Sequence, residues 1–282
     1  MDPYLDPDQQ PEITLQAIVT RLEERSRHPV FRAFTEDYAA AIPSMHPVSV
    51  LDLGCGTGAV LRLLEEQLHP DAELTGADIS EKILCAARAL SQNSRIHWDK
   101  IQPDRLPYRD ASFDVLLMHT LLSHVPHTHL LLKEASRVLR QGGSLIVFDA
   151  DHASTTFAQP DSAKMRELDH RLVSAITTHP DICRHLPRHL KNAGFTLLSH
   201  KAHPLAECGK GDFWLSSVRA FAKLIPALGI LPKEEGDAWT AHMLQSHEDG
   251  TFFAAGIFYT FHAKNGDCVA TATHQTSPHS TS

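Results

Sequence analysis

The chain has 282 residues, 42% hydrophobic and 21% charged, with a formal net charge of -8. That length supports one large domain with an elaboration. The acidic balance, without a stripe of Lys and Arg, argues against nucleic acid as a substrate, and the longest apolar run, Phe252 to Phe261, is about half of what a bilayer needs. The start, Met1 to Asp8, is acidic and proline-rich, unlike a signal peptide. Five cysteines (Cys55, Cys85, Cys183, Cys208, Cys268) stand without C-x-x-C spacing, which suits free thiols in a reducing cytoplasm.

After an extended leader over 1–13, Thr14 to Arg27 and Pro29 to Ile42 read as helices, with Thr14 capping the first and Pro29 in the first turn of the second. Ile13, Ala17, Ile18 and Leu22 form a helical stripe suited to packing over a crevice or covering a sheet edge. Residues 1–43 are thus an N-terminal helical cap. Val48 to Leu53 is a short β-branched and aliphatic run, the pattern of a buried parallel strand. Gly54, Gly56 and Gly58 follow at once, and a helix begins at Ala59. Glycines at a strand-to-helix turn let the backbone bend and let a ligand lie against it without a Cβ in the way, while the helix N-terminus offers free N–H groups. Asp52, on the strand end, can hold an ammonium group directly or through water.

Strands then read at Ala72–Asp78, Arg95–Trp98, Asp110–Met118 and Ser144–Phe148, with helices from Ala59 to Leu68, Ser80 to Leu90 and Thr128 to Leu139 between them. This alternation predicts a doubly wound parallel sheet. Helices follow at Ser162–Thr178 and Cys183–Ala193, with Gly194 as the residue past the second. A strand at Phe195–Lys201, helices at Gly211–Leu228 and Pro232–Ser246 and a strand at Thr251–His262 complete the pattern. The core is 44–203, completed by the strand 251–262. The segment 204–250 is a helical lid insertion, and 263–282 reads as a disordered tail.

Asp78 ends the second strand, 20 residues after Gly58 (78 − 58 = 20). A carboxylate there can accept from both hydroxyls of a ribose, or it can cap the next helix, for which Ser80 is better placed. Gly54 to Ala59 taken alone also fits the dinucleotide pattern G-x-G-x-x-G/A. That reading leaves the later motifs unexplained, and the chain has no Tyr-x-x-x-Lys pair for hydride chemistry.

Asp52-Leu-Gly-Cys-Gly-Thr-Gly58 resembles motif I of the class I S-adenosylmethionine-dependent methyltransferases. Leu106-Pro-Tyr-Arg-Asp-Ala-Ser-Phe-Asp-Val115 and Leu139-Arg-Gln-Gly-Gly-Ser-Leu-Ile-Val147 resemble runs of the ubiquinone/menaquinone biosynthesis-like, small-molecule branch. The resemblance implies an α/β, Rossmann-like class I methyltransferase sheet of seven strands, the last antiparallel, with helical lid insertions. It implies S-adenosyl-L-methionine as cofactor, held by Asp52, Gly54, Gly56, Asp78 and the adjacent Ile79. Asp99 would accept from the adenine amino group, the Lys100 N–H would meet a ring nitrogen, and the His119 backbone would lie near the methionine part. Trp98 and Lys100 stand where the family has Gly and Ala, and Gln141 where it has Pro.

A sulfonium is already a good leaving group, so the protein must mainly align nucleophile, methyl carbon and sulfur and exclude water. A base is needed only if the acceptor must lose a proton. His124, which matches a histidine common in the family, and Asp151 and His152, beyond the fifth strand, are the catalytic candidates. A packing histidine and solvated loop residues are the alternatives. Phe213, Trp214, Phe221 and Trp239 in the lid suggest a sizeable, partly apolar acceptor, or else form the lid's own core. No ligand set with metal spacing is assigned. Expected partners are a small-molecule methyl acceptor, with no nucleic acid and no membrane. A fold relative catalysing a non-methylating step and a cofactor-binding scaffold for a partner protein remain open, as do the acceptor, the atom methylated and the oligomeric state.

Overall fold

The computed structural model describes residues 2–102 and 105–266. Its seven strands are β1 (Ser49–Leu53), β2 (Glu73–Asp78), β3 (His97–Lys100), β4 (Phe113–His119), β5 (Leu139–Phe157), β6 (Phe195–Gly209) and β7 (Phe252–Asn265). They form one sheet in the order β3-β2-β1-β4-β5-β7-β6. The first five are parallel, and β7 runs antiparallel between β5 and β6. The class I methyltransferase sheet implied by the motifs is therefore present.

Strand β1 is buried along its whole length, as a central parallel strand covered on both faces must be. Its side chains divide by parity. Val50 packs on one face with Val115, Leu117, Ile146 and Phe148, against α2 (Pro29–Ala39), α3 (Ala59–Gln67), α8 (Phe213–Leu228) and α9 (Lys233–Asp249). Leu51 and Leu53 pack on the other with Leu116, Leu145 and Val147, against α5 (Thr128–Val138) and α7 (Ile182–Asn192). Helices α1 (Glu12–Arg27), α4 (Glu81–Leu90) and α6 (Ser162–Ile176) complete the set.

Several boundaries move, for reasons that lie in pairing. The third strand begins at His97, where it meets Thr75 of β2, while the Arg95 N–H is held by Glu65. Strand β5 runs on to Phe157 and β6 to Gly209, because β7 pairs with both far beyond the parallel part of the sheet. Residues 204–209 thus belong to a strand, and the inserted helices occupy 213–249. Residues 263–265 continue β7 rather than opening a tail; the rest of that expected tail, from 267 on, lies outside the described residues, as does Cys268. The first helix starts at Glu12 behind Pro11, not at a Thr14 cap. Its inner stripe is Leu15, Ile18 and Leu22 on Ile83; Ile13 is 79% exposed and Ala17 also faces out.

Ser80 caps α4 as its position predicts, accepting from the Ile83 N–H at 3.1 Å. Its hydroxyl also donates to Asp8 of the leader at 2.6 Å, and Asp8 accepts from the Lys82 N–H and the Lys100 ammonium, both at 3.1 Å. The leader is therefore pinned to the start of α4. Replacing Ser80 with Ala should cost about 1 kcal/mol, the scale of a lost N-cap. We expect a fall of about 2–4 °C in Tm by scanning calorimetry.

Candidate active site

The turn after β1 leaves the sheet through Gly54 and Gly56, at φ +71° and +52°, a region costly for residues with a Cβ. The turn is tied to β2 by three bonds. The N–H groups of Gly54 and Cys55 donate to the Ala77 carbonyl at 2.8 and 3.0 Å, and the Gly56 N–H donates to an Asp78 carboxylate oxygen at 3.0 Å. The other Asp78 oxygen accepts from the Ser80 N–H at 2.9 Å. A Cβ on Gly56 would stand 3.2 Å from Leu22 of α1, so the turn has a close roof.

A cavity of about 670 Å³ lies over the carboxyl ends of β1, β2 and β4, where open α/β sheets bind ligands. Its floor holds Asp52, Gly54, Gly56, Asp78, Ile79 and His119, six of the eight residues assigned to the cofactor. Asp52 is 1% exposed, and neither of its oxygens has a hydrogen-bond partner. Burial, and then the neighbouring Asp78 carboxylate, push its pKa up to about 8. A buried, unpartnered carboxylate is costly unless something cationic meets it. The ammonium of S-adenosylmethionine is such a partner, and the bare glycine turn leaves room for the chain that carries it. The residues present therefore fit the cofactor.

Asp99 and Lys100 are not on this wall. Asp99 accepts from the Tyr108 hydroxyl and faces His97, both at 2.9 Å, and the Lys100 ammonium lies on Asp8. At the same end the cavity is bounded by Ile79, Ile83 and Ile101, a slot for a flat ring. Edge-strand pairing turns Asp99 to neighbours of its own, a placement that motif spacing does not reveal.

Of the three catalytic candidates, His124 and His152 line the cavity, with ring centroids 6.4 Å apart. His124 Nδ1 lies 2.7 Å from the carboxylate of Asp2, and its ring packs on Tyr4 at 4.7 Å. Burial, then His124 and Arg25, push His152 down to about 3, so it is neutral and hard to protonate. Asp151, against expectation, lies outside the cavity wall: Arg184 holds it, with Nε donating to both carboxylate oxygens at 3.1 Å and Nη2 to one of them at 3.0 Å. Its predecessor Asp149 is buried on the N–H groups of Ser123 and Ala150. The lid aromatics Phe213, Trp214, Phe221 and Trp239 are each at most 6% exposed and pack around Phe157 and Phe31, away from the cavity. They are lid core. The apolar wall comes instead from Ile176 and Phe258.

Residues that motif reasoning missed come from the N-terminal segment. Tyr4, Arg21 and Arg25 line the cavity, and Tyr38 sets its hydroxyl 2.8 Å from His119 Nδ1. They answer to no local pattern; only their distance from the motifs, bridged by the fold, brings them in. Thr120, at φ +51°, is a β-branched residue in the left-handed region. Such strain gathers at functional sites.

Residues 51–147 match the family model described as a methyltransferase domain. The segment 51–147 is thus a methyltransferase domain, and the sheet that holds it has the class I S-adenosylmethionine-dependent methyltransferase fold. Its cofactor is S-adenosylmethionine. The chain is similar to the demethylmenaquinone methyltransferase of Tropheryma whipplei (32% identity, 57% of this chain and 65% of the relative). It is also similar to the 27-O-demethylrifamycin SV methyltransferase of Amycolatopsis mediterranei (29%, 64% and 61%). The matches span less than two thirds of either relative's length. The [4+2]-cyclase SpnF shares the fold, with a TM-score of 0.56 at 19% identity, covering 84% of this chain and 81% of that one. Among the described residues no helix is long and apolar enough to cross a membrane, and no three His, Cys, Asp or Glu side chains are grouped to hold a metal.

The raised pKa of Asp52 has two consequences. The folded state holds this proton more tightly than the unfolded chain, so the group's contribution to stability falls as pH rises from about 4 through about 8. Asp52→Asn should therefore raise Tm at pH 8. An ammonium partner requires the ionised form, so binding S-adenosylhomocysteine should release a proton near pH 7. Its affinity should climb up to about tenfold per pH unit between pH 6 and 7. Calorimetry in buffers of different ionisation enthalpy checks both, and Asp52→Asn should abolish the proton release.

Proposed function

We propose that the protein transfers the methyl group of S-adenosylmethionine to a small, partly apolar molecule, in the cytoplasm and in secondary metabolism. One observation carries this reading: a single cavity joins the unpartnered Asp52 carboxylate to an end walled by Phe258, Ile176 and two imidazoles. The named relatives act on a demethylmenaquinone and a demethylrifamycin, which supports a small apolar acceptor and a biosynthetic setting. The free cysteines Cys55, Cys85, Cys183 and Cys208 suit a reducing compartment.

When bound, the sulfonium supplies an activated methyl group. The chain's own residues do the rest. Asp52 seats the amino end, Asp78 accepts from the ribose, and Ile79 and Ile101 enclose the adenine. Helices α1 and α2 with α8 close the acceptor end; Arg21 bonds Ser216 and Ser217, and Phe31 stacks on Phe213 with centroids 5.2 Å apart. That closure excludes water and holds the acceptor in line. His124 is the base for an acceptor that must lose a proton, and Asp2 orients it, the pairing of base and orienter known from nucleophile activation. His152, so hard to protonate, accepts a hydrogen bond from the acceptor instead.

A second reading is favoured by that same weak basicity of His152 and by the shared fold of a cyclase: a rearrangement of the bound molecule that uses the cofactor as scaffold. Formation of S-adenosylhomocysteine separates the two. The experiment adds protein and S-adenosylmethionine to the small-molecule extract of the source cells and looks for masses raised by one methyl. With the acceptor so found, His124→Asn should slow turnover by roughly 10²–10⁴-fold, and Asp2→Asn by about tenfold. His152→Asn should change it by less than that. Activity should survive a chelator; its loss, restored by Mg²⁺ or Zn²⁺, would point to a metal-assisted mechanism.

A further inference from the structure

The leader runs along the cavity wall from His124 to the start of α4 and is tied at both ends. At one end Asp2 is 6% exposed. Its Oδ2 lies 2.7 Å from His124 Nδ1, and its Oδ1 accepts from the Tyr4 N–H at 3.0 Å. The Leu5 N–H donates to the Asp2 carbonyl at 3.3 Å, closing a turn behind the carboxylate. At the other end Asp8 takes four donors. They are the Ser80 hydroxyl at 2.6 Å, the N–H groups of Glu81 and Lys82 at 3.2 and 3.1 Å, and the Lys100 ammonium at 3.1 Å. Between the two ties Tyr4, Leu5 and Pro7 line the cavity, and Tyr4 packs on the cluster of Leu15, Ile18 and Ile83. Pro3 and Pro7 are buried beside the two anchors, and each fixes its own φ.

The two ties differ in kind. Burial opposes the ionisation of Asp8, but its donors, the Ser80 hydroxyl first, outweigh it and hold the carboxyl below the usual carboxylate range. Hydrogen bonds to an ionised acceptor are the strong ones, so Asp8 is the firm anchor. Lys100 stands where the motif of the methyltransferases has Ala, and the side chain it adds reaches Asp8. Asp2 has the imidazole and, at 3.4 Å, the Thr178 hydroxyl. An ionised carboxylate can only accept, so its bond to Nδ1 requires the ring proton there and leaves Nε2 as the base. The direction of that carboxylate is set by the leader's own turn, through the Tyr4 N–H.

We propose that Asp8 and Lys100 are positioning residues that latch the leader as a strap over the cavity, and that the latched strap keeps Asp2 on His124 with the ring proton on Nδ1. The imidazole is then set for its task only while the cavity is covered, and a bound ligand leaves only when the strap lets go. The role of His124 as base rests on the methyl-transfer reading. The latch and the tautomer do not, and both are read without turnover.

Two readouts on the full chain test this. The ring nitrogen NMR signals of His124, assigned by their loss in His124→Asn, report its tautomer at pH 8. Rapid filtration measures the release of tritiated S-adenosylhomocysteine. In the wild type Nδ1 should carry the proton. Asp8→Ala and Lys100→Met should both move His124 towards the Nε2–H tautomer, which free histidine prefers. Asp8→Ala should speed release about tenfold, the scale of a lost charge-assisted hydrogen bond, and Lys100→Met about threefold, the scale of a half-exposed ion pair. Asp8→Glu and Lys100→Arg, which keep the charges, should recover most of both effects. Lys100→Met, at a half-exposed side chain, covers the case in which Asp8→Ala does not fold. Either readout unchanged in both latch variants overturns the proposal. So does a failure of the charge-keeping variants to recover, because the effect would then be a general loss of packing. If the wild type does not bind S-adenosylhomocysteine at all, the methyl-transfer reading falls and the tautomer alone decides on the latch.

Discussion

The site depends on one constraint, the tie between the end of β1 and the end of β2. Parallel pairing brings Leu53 level with Ala77. The Ala77 carbonyl and the Asp78 carboxylate then take three successive N–H groups of the turn, on Gly54, Cys55 and Gly56. Only then do the left-handed glycines point the chain away from the sheet and start α3 behind it. The same tie sets Asp78 beside the cavity and leaves Asp52 at its floor with no partner of its own. A preorganised polar floor of this kind costs stability in the free protein and is offset when a ligand supplies the missing charge.

The cavity carries both signs of charge. The sheet supplies the carboxylates of Asp52 and Asp78 at the ends of β1 and β2, and α1 supplies Arg21 and Arg25 from above. Two of its imidazoles, His119 and His152, are kept neutral, by burial first, with Arg25 acting on both and His124 also on His152. Such an arrangement spares the region around Arg25 a further charge.

The N-terminal segment and the insertion are one device. Phe31 of α2 meets Phe213 of α8, and His28 Nε2 reaches Asp212 at 3.2 Å. Strands β5, β6 and β7 extend beyond the rest of the sheet and carry α8 and α9 to the level of α1 and α2. Trp214 fixes this arm by donating its indole N–H to the Leu205 carbonyl at 2.9 Å. The aromatic residues of the insertion therefore hold the roof together and do not line the cavity.

By itself the sequence determined the sheet, its order of elements and the residues of the cavity floor. Each of these is written in short-range patterns: a β-branched run, glycines at a turn, an Asp at a strand end, a serine before a helix. Asp52, Gly54, Gly56, Asp78, Ile79 and His119 were legible for that reason. Tertiary structure alone decided the rest. Whether Asp99 faces a ligand depends on where Tyr108 lies, and whether Asp151 is free depends on Arg184, 33 positions away. The lengths of β5 and β6 depend on the partner that β7 provides. Arg21 and Arg25 enter the site only because α1 packs across the glycine turn, and Tyr4 because the leader packs on α1 and α4. A side chain's chemistry is fixed by its own atoms, but its availability is fixed by neighbours that the chain brings from a distance.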